Sequence, residues 1–305
     1  MKMKKFIAVL AAASMVAAMA AGCGSNEDTS ANGDAAAEEG SGSEWDETQT
    51  ITVVSREEGS GTRGAFTELF GVVEEVDGED VDMTTLDAQI TNNTSVMMTT
   101  VSENEYAIGY ISLGSLDDTV VKALKIDGAE ATAENIENGS YKVSRPFNVA
   151  VSKSLDNEVA KDFLSFIMST EGQAVVEEEG YIPVSEVTAY AGSAPAGSCV
   201  VGGSSSVSPV MEKLIEAYQE VNPNAEIELQ TTDSTTGMTS AIDGSYDIGM
   251  ASRELKEEET AELDGTVIAT DGIAVIVNLN NPTDDMTADQ VKSIYVGDVT
   301  TWDAI

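Results

Sequence analysis

The stretch S55-R-E-E-G-S-G-T-R-G-A-F66 decides how the rest of the chain is read. An alternating apolar run with Ile51 and Val53 precedes it and reads as a β-strand, and TELFGVV (67–73) after it reads as a helix. Between them stand Arg56, then Gly59, Ser60, Gly61 and Thr62 at the expected helix start. The first turn of a helix presents unpaired N–H groups and the positive end of the peptide dipoles, so it favours an anion. Glycines allow close backbone approach, Ser60 and Thr62 add hydroxyl donors, and Arg56 supplies a planar fork that matches a tetrahedral oxyanion. Taken alone, the same residues also describe a Gly/Ser turn that does no more than cap a helix.

The surrounding sequence repeats the pattern. Residues 87–103 read as a polar helix, AIGYISLGSL as a strand entering a Gly turn, and VVKALKIDG as another strand. YKVSRPFNVAVSK reads as a long extended segment, in which Pro146 calls for an edge or a crossing point. Residues 156–179 carry a helical apolar stripe that breaks near Gly172, and AGSAPAGS (191–198) has the composition of a linker. After it come a short strand, a Gly/Ser turn (Gly203–Ser208) and a helix with Ser208 as N-cap and Pro209 in its first turn. AEIELQ is a strand leading into a second hydroxyl-rich turn, Asp233–Gly237, and YDIGMASREL is a strand ending at Ser252-Arg253. GTVIATDGIAVIVNLNNP reads as a long apolar strand and MTADQVKSIYVGD as a helix. Strands alternating with helices predict an α/β architecture with mostly parallel sheets, in which anions sit at the carboxyl ends of strands. Three hydroxyl-rich turns, each between a strand and a helix, together with the Ser-Arg pairs at 55–56 and 252–253, predict one shared anion site.

Composition narrows the function. The 305 residues carry a formal net charge of −39 and no histidine. Such acidity excludes nucleic acid as a partner, since a phosphate backbone needs a basic face. Without histidine there is no Ser-His-Asp triad, no Cys-His pair and no histidine-bound zinc, and no cofactor or metal is expected. Two cysteines, Cys23 and Cys199, allow at most one disulfide. Residues 1–23 read as a targeting segment, with MKMKK as the basic region, an apolar run and then AAGC. That ending resembles a bacterial lipoprotein signal, cleaved before Cys23, which is then acylated. Residues 24–47 are Gly, Ser, Ala, Asn and acidic residues, the composition of a flexible tether.

GGSSSVSPVMEKL, DSTTGMTSAIDGSYDIGMASRELK, SREEGSGTRGAF and FLSFIMSTEGQAVVEEEGYIPV together resemble the phosphate-binding proteins of bacterial high-affinity phosphate ABC transporters. The resemblance implies a two-lobed type II periplasmic-binding-protein fold that closes on its ligand like a hinged clamp. Carried over by position, the ligand contacts fall on Ser205 and Ser206, on Ser234 or Thr235, and on Arg56, Ser60, Gly61 and Thr62; the second Ser-Arg strand end adds Arg253. Some members place an aspartate after the serine where this chain has Ser252-Arg253. That carboxylate accepts the proton of hydrogen phosphate and so excludes sulfate. Here Asp233 or Glu57 would have to replace it.

The two halves also stand in the reverse of the family's order, which implies a circular permutation with 191–198 joining the ancestral termini. Hinge crossings near Val143–Asn148 and Asp271–Val277 then make 142–270 one continuous lobe, and 48–141 plus 271–305 a split one. Trp45–Thr48 should lie beside Thr301–Ile305. The implied function is a receptor, lipid-anchored to the outer face of the cytoplasmic membrane, that captures inorganic phosphate and delivers it to a membrane ABC permease. Sulfate or another tetrahedral oxyanion is the alternative ligand. A phosphate-ester hydrolase would need an unusual base, and the odd chain order leaves room for a non-binding surface protein or one half of an intertwined dimer.

Overall fold

The computed structural model describes residues 45–76 and 78–305. Cys23, the targeting segment and nearly all of the expected tether lie outside the described residues.

Eight strands form the main sheet path: β1 (Thr52–Arg56), β2 (Gln89–Thr91), β3 (Ala107–Ser112), β4 (Ser144–Ser152), β5 (Gly197–Ser204), β6 (Ala225–Thr232), β7 (Ile248–Ala251) and β8 (Leu263–Asn278). Their spatial order is β6-β5-β7-β4-β8-β3-β1-β2. The strands that feed helices run parallel: β1 with β2 and β3, and β5 with β6 and β7. The 16-residue β8 joins two sheets end to end. Its first part pairs antiparallel with β4 as far as Gly272 opposite Ser144, and from Ile273 it pairs with β3. The β-branched run from Ile273 to Val277 is fully buried, as befits a strand covered on both faces.

Burial follows that division. One apolar core gathers Phe66, Tyr110, Tyr295 and Trp302 with Val143 and Ile273–Val277. Another gathers Phe147, Phe163, Phe166, Leu214, Tyr218 and Ala269, and a small third one holds Met238 and Leu263. The chain passes from core to core within a few residues of Arg145 on β4 and Asp271 on β8. At Pro146 β4 has a neighbour on one side only, since β7 pairs no earlier than Asn148, and the missing N–H costs no ladder bond there.

Among the described residues, seven helices of eight residues or more flank the strands: α1 (Gly61–Leu69), α2 (Thr94–Ser102), α3 (Glu158–Ile167), α4 (Thr170–Glu178), α5 (Ser208–Val221), α6 (Ser234–Asp243) and α7 (Ala288–Tyr295). Several differ from the sequence reading. The helix expected over 67–73 starts earlier, capped by Ser60, and ends at Leu69, while Val73 opens a short hairpin strand. Residues 87–103 hold a strand, β2, before α2 begins under an Asn93 cap. The break in 156–179 falls at Met168–Ser169, where Ser169 caps a new helix; Gly172 is needed because any Cβ there would strike the Phe166 carbonyl. In α5 the cap position is Val207, which puts Ser208 and Pro209 in the first turn.

Two local devices hold the chain ends and the 191–198 segment. Trp45 packs 4.6 Å from Tyr106 and 5.8 Å from Trp302, and the Asp303 N–H donates to the Glu47 carbonyl at 2.7 Å. In the other core the Asp162 carboxylate accepts from the hydroxyls of Tyr190 and Tyr218 and from the Ser193 N–H. Asn222 Nδ2 donates to the Pro195 carbonyl at 3.0 Å, so 191–196, which has no regular structure, is held down before β5 begins.

Candidate functional site

The site is built on Arg56, at the carboxyl end of β1. The guanidinium is buried, and its Nε and Nη2 donate to the two carboxylate oxygens of Glu57 at 2.8 and 2.7 Å. Nη2 also reaches Ser205 Oγ at 3.1 Å, across from the other core. Nη1 is buried with no partner at all. A buried charged donor left empty is costly, so its position implies an acceptor that arrives from outside the chain.

The ground beneath Arg56 is rigid for a reason visible in the core. Phe66 of α1 stacks on Tyr110 of β3 with centroids 3.9 Å apart and planes 7° apart. The Tyr110 hydroxyl lies 2.9 Å from Ser55 Oγ and accepts from the Arg56 N–H at 3.1 Å. Burial pushes the Tyr110 phenol up to about 12, against the hydrogen bonds from Ser55 and Arg56, so it stays neutral at physiological pH. Arg63 of α1 closes the turn, donating from Nη1 to the Arg56 carbonyl at 2.9 Å while its Nε pairs with Asp82.

The three hydroxyl-rich turns converge here. Thr62 Oγ1 lies 2.8 Å from Ser206 Oγ, which joins the α1 start to the turn before α5. Gly59, at φ +89°, offers its carbonyl to Thr235 N and Thr235 Oγ1, both at 3.2 Å, in the first turn of α6. A Cβ on Gly61 would collide with the hydroxyls of Ser234 and Ser252, so only glycine fits this contact. Ser234 and Ser252 are tied by Ser252 N to Ser234 Oγ at 3.1 Å, and Ser204 Oγ donates to Ser252 Oγ at 2.9 Å.

Of the residues singled out in sequence, Arg56, Thr62, Ser205 and Ser206 meet directly. Ser60 caps α1 beside them, accepting from the Arg63 N–H, and Gly61 and Ser234 press together at the seam. Thr235 is engaged with Gly59. Arg253 lies beside Gly61 with Nη2 3.4 Å from Thr235 Oγ1, but its guanidinium is taken bidentately by Glu259 at 2.8 and 2.7 Å. Neither candidate proton acceptor is free: Glu57 holds Arg56, and Asp233 caps α6 through the Thr236 N–H and hydroxyl.

Thr94, first residue of α2, was not among the candidates. Its hydroxyl lies 3.3 Å from Ser205 Oγ and 3.4 Å from Ser206 Oγ. A strand, a polar pair and a hydroxyl at a helix start (ITNNT) carried the signal, hidden because 87–103 reads as one helix. Arg145 of β4, which donates to the Ser252 carbonyl, was not among the candidates either. The result is a buried cluster of hydroxyls and helix starts drawn from both cores around one guanidinium donor without a partner. Among the described residues no group of three or more His, Cys, Asp or Glu is placed to hold a metal.

Known proteins resemble this chain over most of its length. A profile of the PBP superfamily domain matches residues 22–171 and 188–304. The phosphate-binding protein PstS 2 of Streptococcus agalactiae is 50% identical over 305 residues, 99% of this chain and 98% of that protein. The phosphate-binding protein PstS 2 of Streptococcus pneumoniae is 42% identical over 257 residues, 84% of this chain and 88% of its own length. A crystal structure of a phosphate-binding protein of a phosphate ABC transporter from Streptococcus pneumoniae is 43% identical and covers 84% of this chain and all of its own, with a TM-score of 0.67. With two cores joined by crossing strands, and half its residues shared over the full length of such a relative, this chain belongs to the phosphate-binding proteins of the PBP superfamily.

Proposed function

We infer that this protein is an extracellular receptor, not an enzyme, that closes its two cores as lobes of a clamp on inorganic phosphate and hands it to an ABC permease. The observation that carries the reading is Arg56 Nη1, a buried guanidinium donor with no partner, on a side chain whose Nη2 reaches Ser205 Oγ of the other core. A tetrahedral oxyanion there would take that donor, the hydroxyls of Thr62, Thr94, Ser205 and Ser206, and the backbone of the Ser60–Gly61 turn, with Ser234 behind them. Thr235 and Arg253 play a supporting part, through Gly59 and Glu259. The kinship with phosphate-binding proteins of ABC transporters supports both the ligand and the permease as partner.

The lobes divide as 48–141 plus 271–305 and 142–270, in circularly permuted order. The adjoining ends at Trp45–Thr48 and Thr301–Ile305, and the fastened segment 191–196, support a single chain that completes its own site. Acylation of Cys23 anchors the receptor to the outer face of the membrane; the motif AAGC supports this. Calorimetric titration of the purified protein with phosphate should give saturable binding of one anion per chain, and sulfate and arsenate titrations rank the alternatives. Absence of binding to any of the three would overturn the reading.

A further inference from the structure

Directly behind the anion site, on the crossing strand β4, lies a second arginine. Arg145 is buried, with Nη1 donating to the Ser252 carbonyl at 3.1 Å and Nη2 to Asp271 Oδ2 at 3.1 Å, while Nε has no partner. Ser252 is the residue that ties the turns together. Its hydroxyl accepts from Ser204, its N–H donates to Ser234, and both press on Gly61 of the third turn. Arg145 therefore grips the seam where all three turns meet. Its charge is also felt within the site: burial pushes its pKa down, Asp271 opposes this, and the nearby Arg56 guanidinium adds to the lowering. Asp271 is bound to the same crossing, accepting from the Gly114 N–H at 3.4 Å, and burial pushes its carboxyl up while Arg145 opposes.

We propose that Arg145 is a positioning residue for the oxyanion, fixing the Ser252 seam and holding a second buried positive charge behind Arg56, with Asp271 tempering that charge. This rests on the reading of the site as an oxyanion site. The physical argument is one of dielectric: Arg145 and its partner Asp271 are both buried, so a change of charge at either one acts on a nearby anion with little solvent screening. Removing Asp271 and removing Arg145 break the same ion pair but change the field at the anion in opposite directions.

The test is phosphate affinity by calorimetry on the full chain, with unliganded thermal unfolding recorded for each variant. Arg145→Gln should weaken phosphate binding roughly ten- to a hundredfold. Arg145→Lys, which keeps the charge, should stay within about threefold of wild type, because lysine remains a point donor at the same place. Asp271→Asn should bind phosphate more tightly than wild type, whatever its loss in thermal stability. A merely structural ion pair predicts instead that Arg145→Gln and Asp271→Asn weaken binding alike, and that result overturns the proposal. So does an unchanged affinity in Arg145→Gln. Should Arg145→Gln fail to fold, Asp271→Asn decides: tighter binding supports the proposal, and unchanged or weaker binding sinks it. A wild-type protein that binds no phosphate would bring down the functional reading itself. A wild type that binds, with variants that do not differ, would bring down only this inference.

Discussion

Arg56 combines two jobs in one guanidinium. Two of its nitrogens are fixed by Glu57 and Ser205, and the third waits for a ligand. Fixing the fork in advance lowers the entropy lost on binding and aims the open donor. Arg56→Ala removes the donor and leaves Glu57 without its partner, so phosphate affinity should fall by about 2–5 kcal/mol, or roughly thirty- to several-thousandfold. Arg253→Ala provides the contrast. Its guanidinium is taken by Glu259, so calorimetry should find affinity changed by less than about threefold. The loss in that variant should show in thermal unfolding instead, because a well-shielded Glu259 is left unpaired.

Among the elements, the clasp on the 191–196 segment is the clearest case of one side chain ordering a stretch that composition marks as a linker. Asp162 of α3 gathers two tyrosine hydroxyls and a backbone N–H from that segment. Burial raises the Asp162 pKa, but the bonds from Tyr190, Tyr218 and Ser193 outweigh it and hold the carboxyl below its usual value. A lowered folded pKa means the contribution is complete above the ordinary aspartate value near 3.8 and is lost as pH falls through the folded one. Asp162→Ala should cost about 2–3 kcal/mol at neutral pH and should flatten the acid limb of a stability profile measured by denaturant melts. The sequence made α3, α5 and β8 legible because each carries a long apolar period. It also located three of the four helix starts at the site, since glycine and hydroxyl residues follow a strand there. Thr94 was lost because β2 is only three residues long and too polar to announce itself. Arg145 was lost for a different reason: its partners, Ser252 and Asp271, lie over a hundred positions away, and pairing at that range leaves no local pattern.

At the scale of the molecule, an anion receptor with a net charge of −39 repels what it captures. All four arginines of the chain are paired with carboxylates, Arg56 with Glu57, Arg63 with Asp82, Arg145 with Asp271 and Arg253 with Glu259. With carboxylates far outnumbering cations, the outer field is negative. Raising ionic strength from about 0.01 M to 0.15 M shortens the screening length from about 30 Å to about 8 Å, so stopped-flow association with phosphate should speed up while dissociation hardly changes. An association rate that falls with salt would mean that a positive field reaches beyond the pocket mouth. The join between the chain ends also has an optical side. The only two tryptophans in the sequence, Trp45 and Trp302, face each other there. Both adjoin Tyr106, just before the first residues of β3, whereas Arg56 ends the neighbouring β1. Indole emission is thus a lamp hung at the opposite end of the strands from the anion: it should stay steady as ligand arrives and change colour when the two ends part.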